Sequence, residues 1–147
     1  MKVLKFWLLS FLSAFLMVGC SSAHDDAETL PNGHYIARSS SLLLSMELEN
    51  GKCWRLTAFE NGKVFSQVVT IQTTGQYPNY TYTGDNYTMT CSFTDTSKFT
   101  ATVTGKLPNN VLGGNGYTEV SGSYQFNKYD GVLDANGDGI IDDQVGT

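Results

Sequence analysis

The sequence predicts an all-β domain of antiparallel strands. Two copies of one turn, Glu49-Asn50-Gly51-Lys52 and Glu60-Asn61-Gly62-Lys63, lie eleven residues apart between apolar runs. Asn-Gly in that setting is the strongest short-range sign of a β-hairpin, because both residues tolerate a positive φ. Apolar residues alternate with Thr and Ser over residues 87–94 and again over 99–104. This alternation is typical of an antiparallel sheet with one solvated face, and no stretch keeps a helical period over ten residues.

The strands are expected, in chain order, at residues 34–38, 42–49, 53–59, 64–72, 80–83, 87–94, 99–104 and 117–126. Segments 73–79 and 106–116 contain Gly, Pro and Asn and are expected to be loops. Seven or eight short strands in mainly up-and-down order predict either a small β-barrel or a β-sandwich.

The hairpins also predict a register, because residues directly opposite each other share a face of the sheet. A three-residue loop at 49–51 sets Met46 opposite Trp54, whereas a two-residue loop would set Met46 opposite the charged Arg55. A two-residue loop is expected at 61–62. The inner face is then expected to carry Leu44, Met46, Trp54, Leu56, Ala58, Phe65, Val69 and Ile71.

The first 19 residues have the features of a secretion signal. Lys2 and Lys5 precede an apolar run over 6–18, which is too short to cross a bilayer as a helix. The run ends in Leu16-Met17-Val18-Gly19-Cys20, which resembles the lipobox of bacterial lipoproteins. The resemblance implies cleavage before Cys20 and lipidation of its thiol. The alternative is an ordinary secreted protein whose signal contains a cysteine.

Four parts are expected: the signal 1–19, a flexible tether 20–30, the β domain 31–129 and an acidic tail 130–147. Removal of 19 of the 147 residues leaves 128, which suits one domain. Seven basic residues then face 14 acidic ones, so a nucleic acid is not expected as a partner. The anchor implies the outer membrane of a Gram-negative cell, with the domain facing the periplasm or the outside. The pair Asp25-Asp26 resembles the surface-export signal of some such lipoproteins.

Lipidation of Cys20 would leave Cys53 and Cys91, an even number in an oxidising compartment, which favours a disulfide between them. Such a bridge, between positions 38 apart, would stabilise the fold by at most ~4 kcal/mol. The expected faces of the sheet argue against this disulfide. Cys91 shares a face with the inward Phe93, two residues on, whereas Cys53 shares the opposite face with Arg55. A β-bulge near the strand start would reconcile the two positions. Two buried free thiols are the alternative.

The meander also resembles, in size and hairpin order, the small lipocalin-like domains of bacterial lipoproteins. The resemblance extends from Gly33-His34-Tyr35 to residue 126 at most. It implies a barrel that holds a small apolar molecule.

Catalytic chemistry is not expected. His34 is the only histidine within the β domain, and the sequence contains no Ser-His-Asp order, phosphate-binding loop or zinc-ligand spacing. We therefore expect that the protein is not an enzyme.

Four tyrosines cluster around one predicted loop: Tyr77, Tyr80, Tyr82 and Tyr87. An exposed group of this kind would offer a binding platform for a sugar or a protein, because the ring is apolar and the hydroxyl is polar. Packing of the rings within the sheet is the alternative.

The tail carries the most specific motif of the chain. Asp134-Ala135-Asn136-Gly137-Asp138-Gly139-Ile140-Ile141-Asp142-Asp143 resembles the calcium loops of dockerin modules, thrombospondin type 3 repeats and EF-hands. The resemblance implies ligation by the side chains of Asp134, Asn136 and Asp138, by the Ile140 carbonyl and by Asp142. Val145 replaces the usual glutamate at position twelve, and Asp143 is the substitute ligand, so weak calcium binding is expected. An acidic, disordered tail is the alternative.

Together these features predict a lipid-anchored, non-enzymatic envelope protein that binds a small apolar molecule, a glycan or a protein, with one structural calcium. The alternative is a structural or assembly component of the outer envelope without a small-molecule ligand. A cavity inside the barrel would favour the first, and a filled core would favour the second.

Overall fold

The computed structural model describes residues 30–111 and 113–142, and the regular structure in this part of the chain is entirely β. The lipidation candidate Cys20 and the candidate ligand Asp143 lie outside these residues. The strands are β1 (Gly33–Ser39), β2 (Leu42–Glu49), β3 (Lys52–Glu60), β4 (Lys63–Val68), β5 (Gln72–Gln76), β6 (Asn79–Thr83), β7 (Tyr87–Asp95), β8 (Lys98–Pro108), β9 (Tyr117–Glu119) and β10 (Gly122–Lys128). Within the described ranges, no helix is long and apolar enough to cross a membrane.

The strands form one antiparallel sheet that curls into a half-barrel, in the order β4-β3-β2-β1-β10-β8-β7-β6-β5, with β9 paired to β8. The predicted all-β, antiparallel class is confirmed, as one curled sheet instead of a two-sheet sandwich. The up-and-down order holds within β1–β4 and within β5–β8. The last strand, β10, joins the two meanders because it pairs with β1 on one side and β8 on the other. The sheet edges are therefore β4 and β5.

Four predicted segments differ from the observed strands. The expected strand 64–72 ends with β4 at Val68, and β8 continues to Pro108, into the expected loop 106–116. The expected loop 73–79 contains most of β5, which is joined to β6 by the two-residue turn Tyr77-Pro78. The expected strand 117–126 is split between β9 and β10 at Val120 and Ser121. These differences could not be predicted from local propensity, because pairing with a neighbouring strand overrides it.

The first hairpin closes differently from the prediction. Its turn has two residues, Asn50 (φ 50°) and Gly51 (φ 81°), and a bulge follows it. Leu48 pairs with Cys53 and Glu47 pairs with Arg55, so Trp54 is the extra residue. A two-residue loop without the bulge would set Met46 opposite the charged Arg55, and the bulge sets it opposite Leu56 instead.

The expected position of Trp54 on the inner face is therefore wrong, since its side chain is 47% exposed and Met46 pairs with Leu56 instead. The second hairpin keeps the expected two-residue turn but adds a bulge at Phe65, so Ala58 pairs with Ser66. Val69 is consequently 65% exposed, and its neighbour Val68 packs against the core.

Side chains fill the concave side of the sheet. The Phe99 ring stacks between those of Phe93 and Phe126, at centroid distances of 4.4 and 4.6 Å. Tyr35 packs edge-on against Phe99 at 5.5 Å. The buried cluster extends across the sheet from β3 to β6, the strands next to the two edges. Aromatic pairs of this geometry contribute about 0.5–1.5 kcal/mol each beyond the area that they bury.

A second, smaller core lies on the convex side. Leu133 and Ile141 from the tail pack there against Leu43 and Phe59. The backbone N–H of Ile141 donates to the Gly62 carbonyl at 2.7 Å. The described part of the predicted tail therefore packs against the β domain as a folded segment.

Candidate functional site

The C-terminal aspartate loop, residues 134–142, is organised by the carboxylate of Asp134. Its Oδ1 accepts hydrogen bonds from the backbone N–H groups of Gly137 (2.8 Å) and Asp138 (3.2 Å), and its Oδ2 accepts one from Gly139 (2.7 Å). Gly137 and Gly139 have φ values of 75° and 82°, which an L side chain rarely adopts. The short polar side chain and the two glycines thus close the loop locally.

The other predicted ligands that the structure describes lie in the same loop. Asp138 Oδ1 accepts from the Ile140 N–H at 2.9 Å, and Asn136 Oδ1 accepts from the Asp138 N–H at 3.1 Å. Asp142 Oδ2 accepts from the Ala135 N–H at 3.0 Å. Each of the four polar residues therefore has at least one side-chain oxygen that accepts from the loop's own backbone, and Asp138 Oδ2 also accepts from the Asn136 side-chain amide at 3.2 Å.

The loop is seated on the second hairpin. Val64 donates its N–H to the Gly139 carbonyl at 2.8 Å, and Ile140 forms a β-bridge with Lys63. A side chain at Gly139 would place its Cβ 2.9 Å from a methyl carbon of Val64. Glycine is therefore required at this position by both the φ angle and the contact.

The donors present are carboxylate, amide and carbonyl oxygens, which is the chemistry that Ca²⁺ prefers. Among the described residues, however, no three His, Cys, Asp or Glu side chains lie close enough to hold a metal ion. The donor types fit a calcium ion, and ligation requires the carboxylates to turn from the backbone amides toward one point.

Where the tail crosses β1 and β2, it encloses a cleft of about 450 Å³ that is lined in part by His34, Ser45, Glu47 and Arg55. His34 Nε2 lies 2.5 Å from Ser45 Oγ, and Arg55 forms an ion pair with Glu47. Burial lowers the pKa of His34, while Glu47 opposes that shift. This cluster could not be predicted from the sequence, because its members lie on neighbouring strands with no recognisable spacing.

The tail covers this cluster. The Tyr129 ring packs edge-on against His34 at 5.7 Å, and the Tyr129 N–H donates to the His34 carbonyl at 2.8 Å. Ser45 is buried. The arrangement therefore fastens the start of the tail to the sheet.

The two cysteines of the domain are free thiols in the structure, both buried, so the predicted disulfide is not formed. The bulge at Trp54 turns Cys53 toward the core, where Cys91 also lies. A disulfide between the two cysteines would have required both to be on this face of the sheet. The Cys53 thiol donates to the Arg55 carbonyl at 3.5 Å. Burial raises the pKa of each thiol to about 12, and Cys53 further raises that of Cys91.

The predicted tyrosine platform is not exposed. Tyr80, Tyr82 and Tyr87 are buried, and Tyr77 is half-buried against the core. Tyr80 and Tyr82 stack at 6.0 Å on the inner face, because alternation along β6 directs both inward. The Tyr87 hydroxyl has no hydrogen-bond partner among the described residues.

Another cleft, of about 290 Å³, lies at one end of the half-barrel and is called the Tyr117 cleft here. It is lined by Gln67, Val68, Val69, Thr70, Asp85, Asn86, Tyr87, Pro108, Asn110 and Tyr117. Asn110 bridges the β4 edge, because its side chain donates to the Gln67 carbonyl at 2.8 Å and accepts from the Gln67 N–H at 3.0 Å. This cleft could not be predicted from the sequence, because its residues come from four separate segments.

In comparisons with known proteins, no family model, curated protein or solved structure matches this chain.

Proposed function

We propose that the chain is a lipid-anchored protein of the bacterial cell envelope that acts by binding, without catalysis, through the outer surface of its β domain. The packed concave side of the sheet argues against binding inside the half-barrel, and the surface-binding part is carried by the cleft beside the exposed Tyr117. Phe93, Phe99 and Phe126 occupy the space where a lipocalin-like protein would hold a ligand. A glycan or a protein partner on the outside therefore fits better than a small apolar molecule inside.

The anchor part of the proposal rests on the sequence around Cys20. A diacylated cysteine would hold the chain stably on a membrane, since two acyl chains suffice where one does not. Residues 20–30 would then separate the domain from the outer membrane of a Gram-negative cell. The domain would face the periplasm or the cell exterior.

Calcium is proposed as a structural cofactor of the aspartate loop. Asp134, Asp138 and Asp142 bring three carboxylates into nine residues, and Asp143 adds a fourth beyond the described part. A divalent cation would offset their mutual repulsion. The loop is already seated on the second hairpin by the Val64–Gly139 hydrogen bond, so the ion would stabilise a docked segment.

A structural or assembly role in the envelope, without any small-molecule ligand, is the second candidate. The filled concave side is the outcome that favours this role over a small-molecule ligand inside the barrel, because a scaffold component needs no cavity. The two candidates differ in whether the outer surface carries a specific ligand site.

Metabolic labelling tests the anchor. Cells that express the full chain are grown with radiolabelled palmitate and then fractionated. The wild-type chain is expected to carry label and to sediment with the outer membrane, whereas Cys20→Ala should be unlabelled and soluble. Cys53→Ala, which removes a buried thiol instead, should still be labelled. An unlabelled wild-type chain would overturn the anchor.

A further inference from the structure

The Tyr117 cleft combines an exposed aromatic ring with several unused polar side chains. The ring of Tyr117 is 52% exposed, and the Lys106 ammonium lies 5.2 Å from its centroid. Tyr117 is held by β9, whose pairing places it opposite Pro108 at the end of β8. The backbone of Tyr117 is therefore held by the sheet beside the cleft, and the part of its ring that Lys106 leaves exposed is available to a ligand.

The polar side chains around this ring have free hydrogen-bonding capacity. Within the described ranges, the side chains of Gln67, Thr70, Asp85 and Asn86 form no hydrogen bond. Together they offer amide donors, amide and carboxylate acceptors and one hydroxyl. The wall of the cleft thus presents donors and acceptors side by side, which a ligand with several hydroxyl groups can satisfy.

A second observation comes from Tyr87, which lines the same cleft and is buried. Its hydroxyl has no hydrogen-bond partner among the described residues. A buried polar atom without a partner costs about 1–3 kcal/mol. Most such atoms in folded proteins are satisfied, so a ligand hydroxyl that reached the Tyr87 hydroxyl would relieve this cost.

Charge narrows the class of ligand. Among the described residues that line the cleft, Asp85 is the only charged one, and the Lys106 ammonium beside Tyr117 carries the opposite charge. The two charges leave no excess of either sign to attract an ion, while the Asp85 carboxylate can accept hydrogen bonds from neutral hydroxyls. The apolar carbons of Val68, Val69 and Pro108 lie beside the polar groups. A sugar ring presents the same mixture, with C–H faces for an aromatic ring and hydroxyls at the rim.

We propose that the Tyr117 cleft binds a neutral saccharide, with the sugar ring against Tyr117 and its hydroxyls on Asp85, Asn86 and Gln67. The size of the cleft, about 290 Å³, is at the lower end for ligand sites and suits one sugar unit of a longer glycan. The inference rests on the proposed binding function and assigns it a ligand class and a place.

The experiment uses the purified full chain in a detergent without a sugar headgroup. Neutral oligosaccharides (cellohexaose, maltohexaose and mannohexaose) and the anionic hexamer of galacturonic acid are titrated by calorimetry. At least one neutral oligosaccharide is expected to bind, and the anionic one is expected not to bind. Absence of neutral binding, or tighter binding of the anionic hexamer, would overturn the site.

Variants locate the binding. Tyr117→Ala should weaken it at least about tenfold, as loss of a central aromatic contact does, while Tyr117→Phe should retain it because the ring remains. Trp54→Ala removes an equally exposed aromatic outside the cleft and is the matched control. Circular dichroism checks that each variant is folded. Saccharide binding that survives Tyr117→Ala, or that is lost in Trp54→Ala, would show that the saccharide binds outside the Tyr117 cleft and would overturn the proposal.

Failure of the sugar site is distinguishable from failure of the anchor. Palmitate labelling of Cys20 does not depend on the cleft, so a labelled chain that binds no neutral saccharide would overturn this inference alone. An unlabelled chain that binds through Tyr117 would leave the inference intact.

Discussion

Tyr82 on β6 donates its buried hydroxyl to the carbonyl oxygen of Gly51, in the turn between β2 and β3, at 2.7 Å. The bond joins strands from opposite halves of the sheet, which are not neighbours in the strand order. It therefore helps to hold the curl of the half-barrel. The turn itself is placed by a second bond, from the Gly51 N–H to the Pro31 carbonyl at 2.9 Å.

Tyr82→Phe should lower the free energy of unfolding by about 1–3 kcal/mol, because the Gly51 carbonyl loses a buried partner. Urea unfolding followed by circular dichroism measures the loss. Tyr117→Phe removes an exposed hydroxyl and should change stability by less than about 0.5 kcal/mol. Equal effects of the two substitutions would contradict the role of the bond.

Trp54→Ala is expected to cost less than about 1 kcal/mol, because the bulge turns this large side chain outward. Leu56→Ala, two residues along the same strand, removes a buried side chain and should cost about 2–5 kcal/mol. Urea midpoints give both values. Quenching of Trp54 fluorescence by acrylamide should be efficient in the folded protein, and a strongly protected Trp54 would show that the bulge is misplaced.

Cys53 and Cys91 should resist alkylation in the folded protein, since burial raises the pKa of each thiol to about 12 and leaves little thiolate at neutral pH. After unfolding in urea without reductant, both should react. Mass spectrometry after iodoacetamide counts the modified thiols. If neither thiol reacts until a reductant is added, the two cysteines are bridged in the protein as isolated.

Calcium should bind weakly, with Kd on the order of 10⁻⁴–10⁻³ M, as in extracellular modules. Asp134→Ala should abolish binding, because Asp134 also organises the loop through three backbone N–H groups. Asp130→Ala, which changes an acid outside the loop, is the control. Calorimetry and amide NMR shifts at millimolar calcium measure the effect, and an unchanged loop spectrum in the wild type would argue for a metal-free tail.

Stability should depend on His34 as the pH falls. Burial lowers the pKa of His34 in the folded protein, so the unfolded chain binds a proton more readily. The contribution of neutral His34 to the free energy of unfolding is therefore full above about pH 6.5, the ordinary pKa of histidine. This contribution is lost as the pH drops through the folded-state pKa. Urea midpoints between pH 7.5 and pH 5.5 should fall in the wild type and less in His34→Gln. An equal fall in both would assign the effect to groups other than His34.

Much of the local structure follows from the residues alone. Asn50-Gly51 and Asn61-Gly62 form turns because Asn and Gly accept positive φ, and both asparagines do so, at 50° and 51°. The alternation in β7 and β8 places Met89, Phe93 and Phe99 on the buried face without reference to any partner. Such features depend on backbone sterics and on the period of a strand, which are local.

Only part of the candidate calcium site could be predicted from the sequence. The glycines and the alternating oxygens of 134–142 mark a loop that closes on itself, and the structure has that loop. Its docking on the second hairpin could not be predicted, because Gly139 and Val64 are 75 positions apart. The Tyr117 cleft left no signature in the sequence for the same reason.

The sequence by itself thus determined the all-β class, the two turns and the inward faces of the regular strands. The tertiary structure alone decided the bulges at Trp54 and Phe65 and the place of β10 between β1 and β8. A bulge and a strand's choice of neighbour depend on pairing energies between distant segments. Because a shift of one residue exchanges the two faces of a strand, those energies also decide which side chains the surface presents.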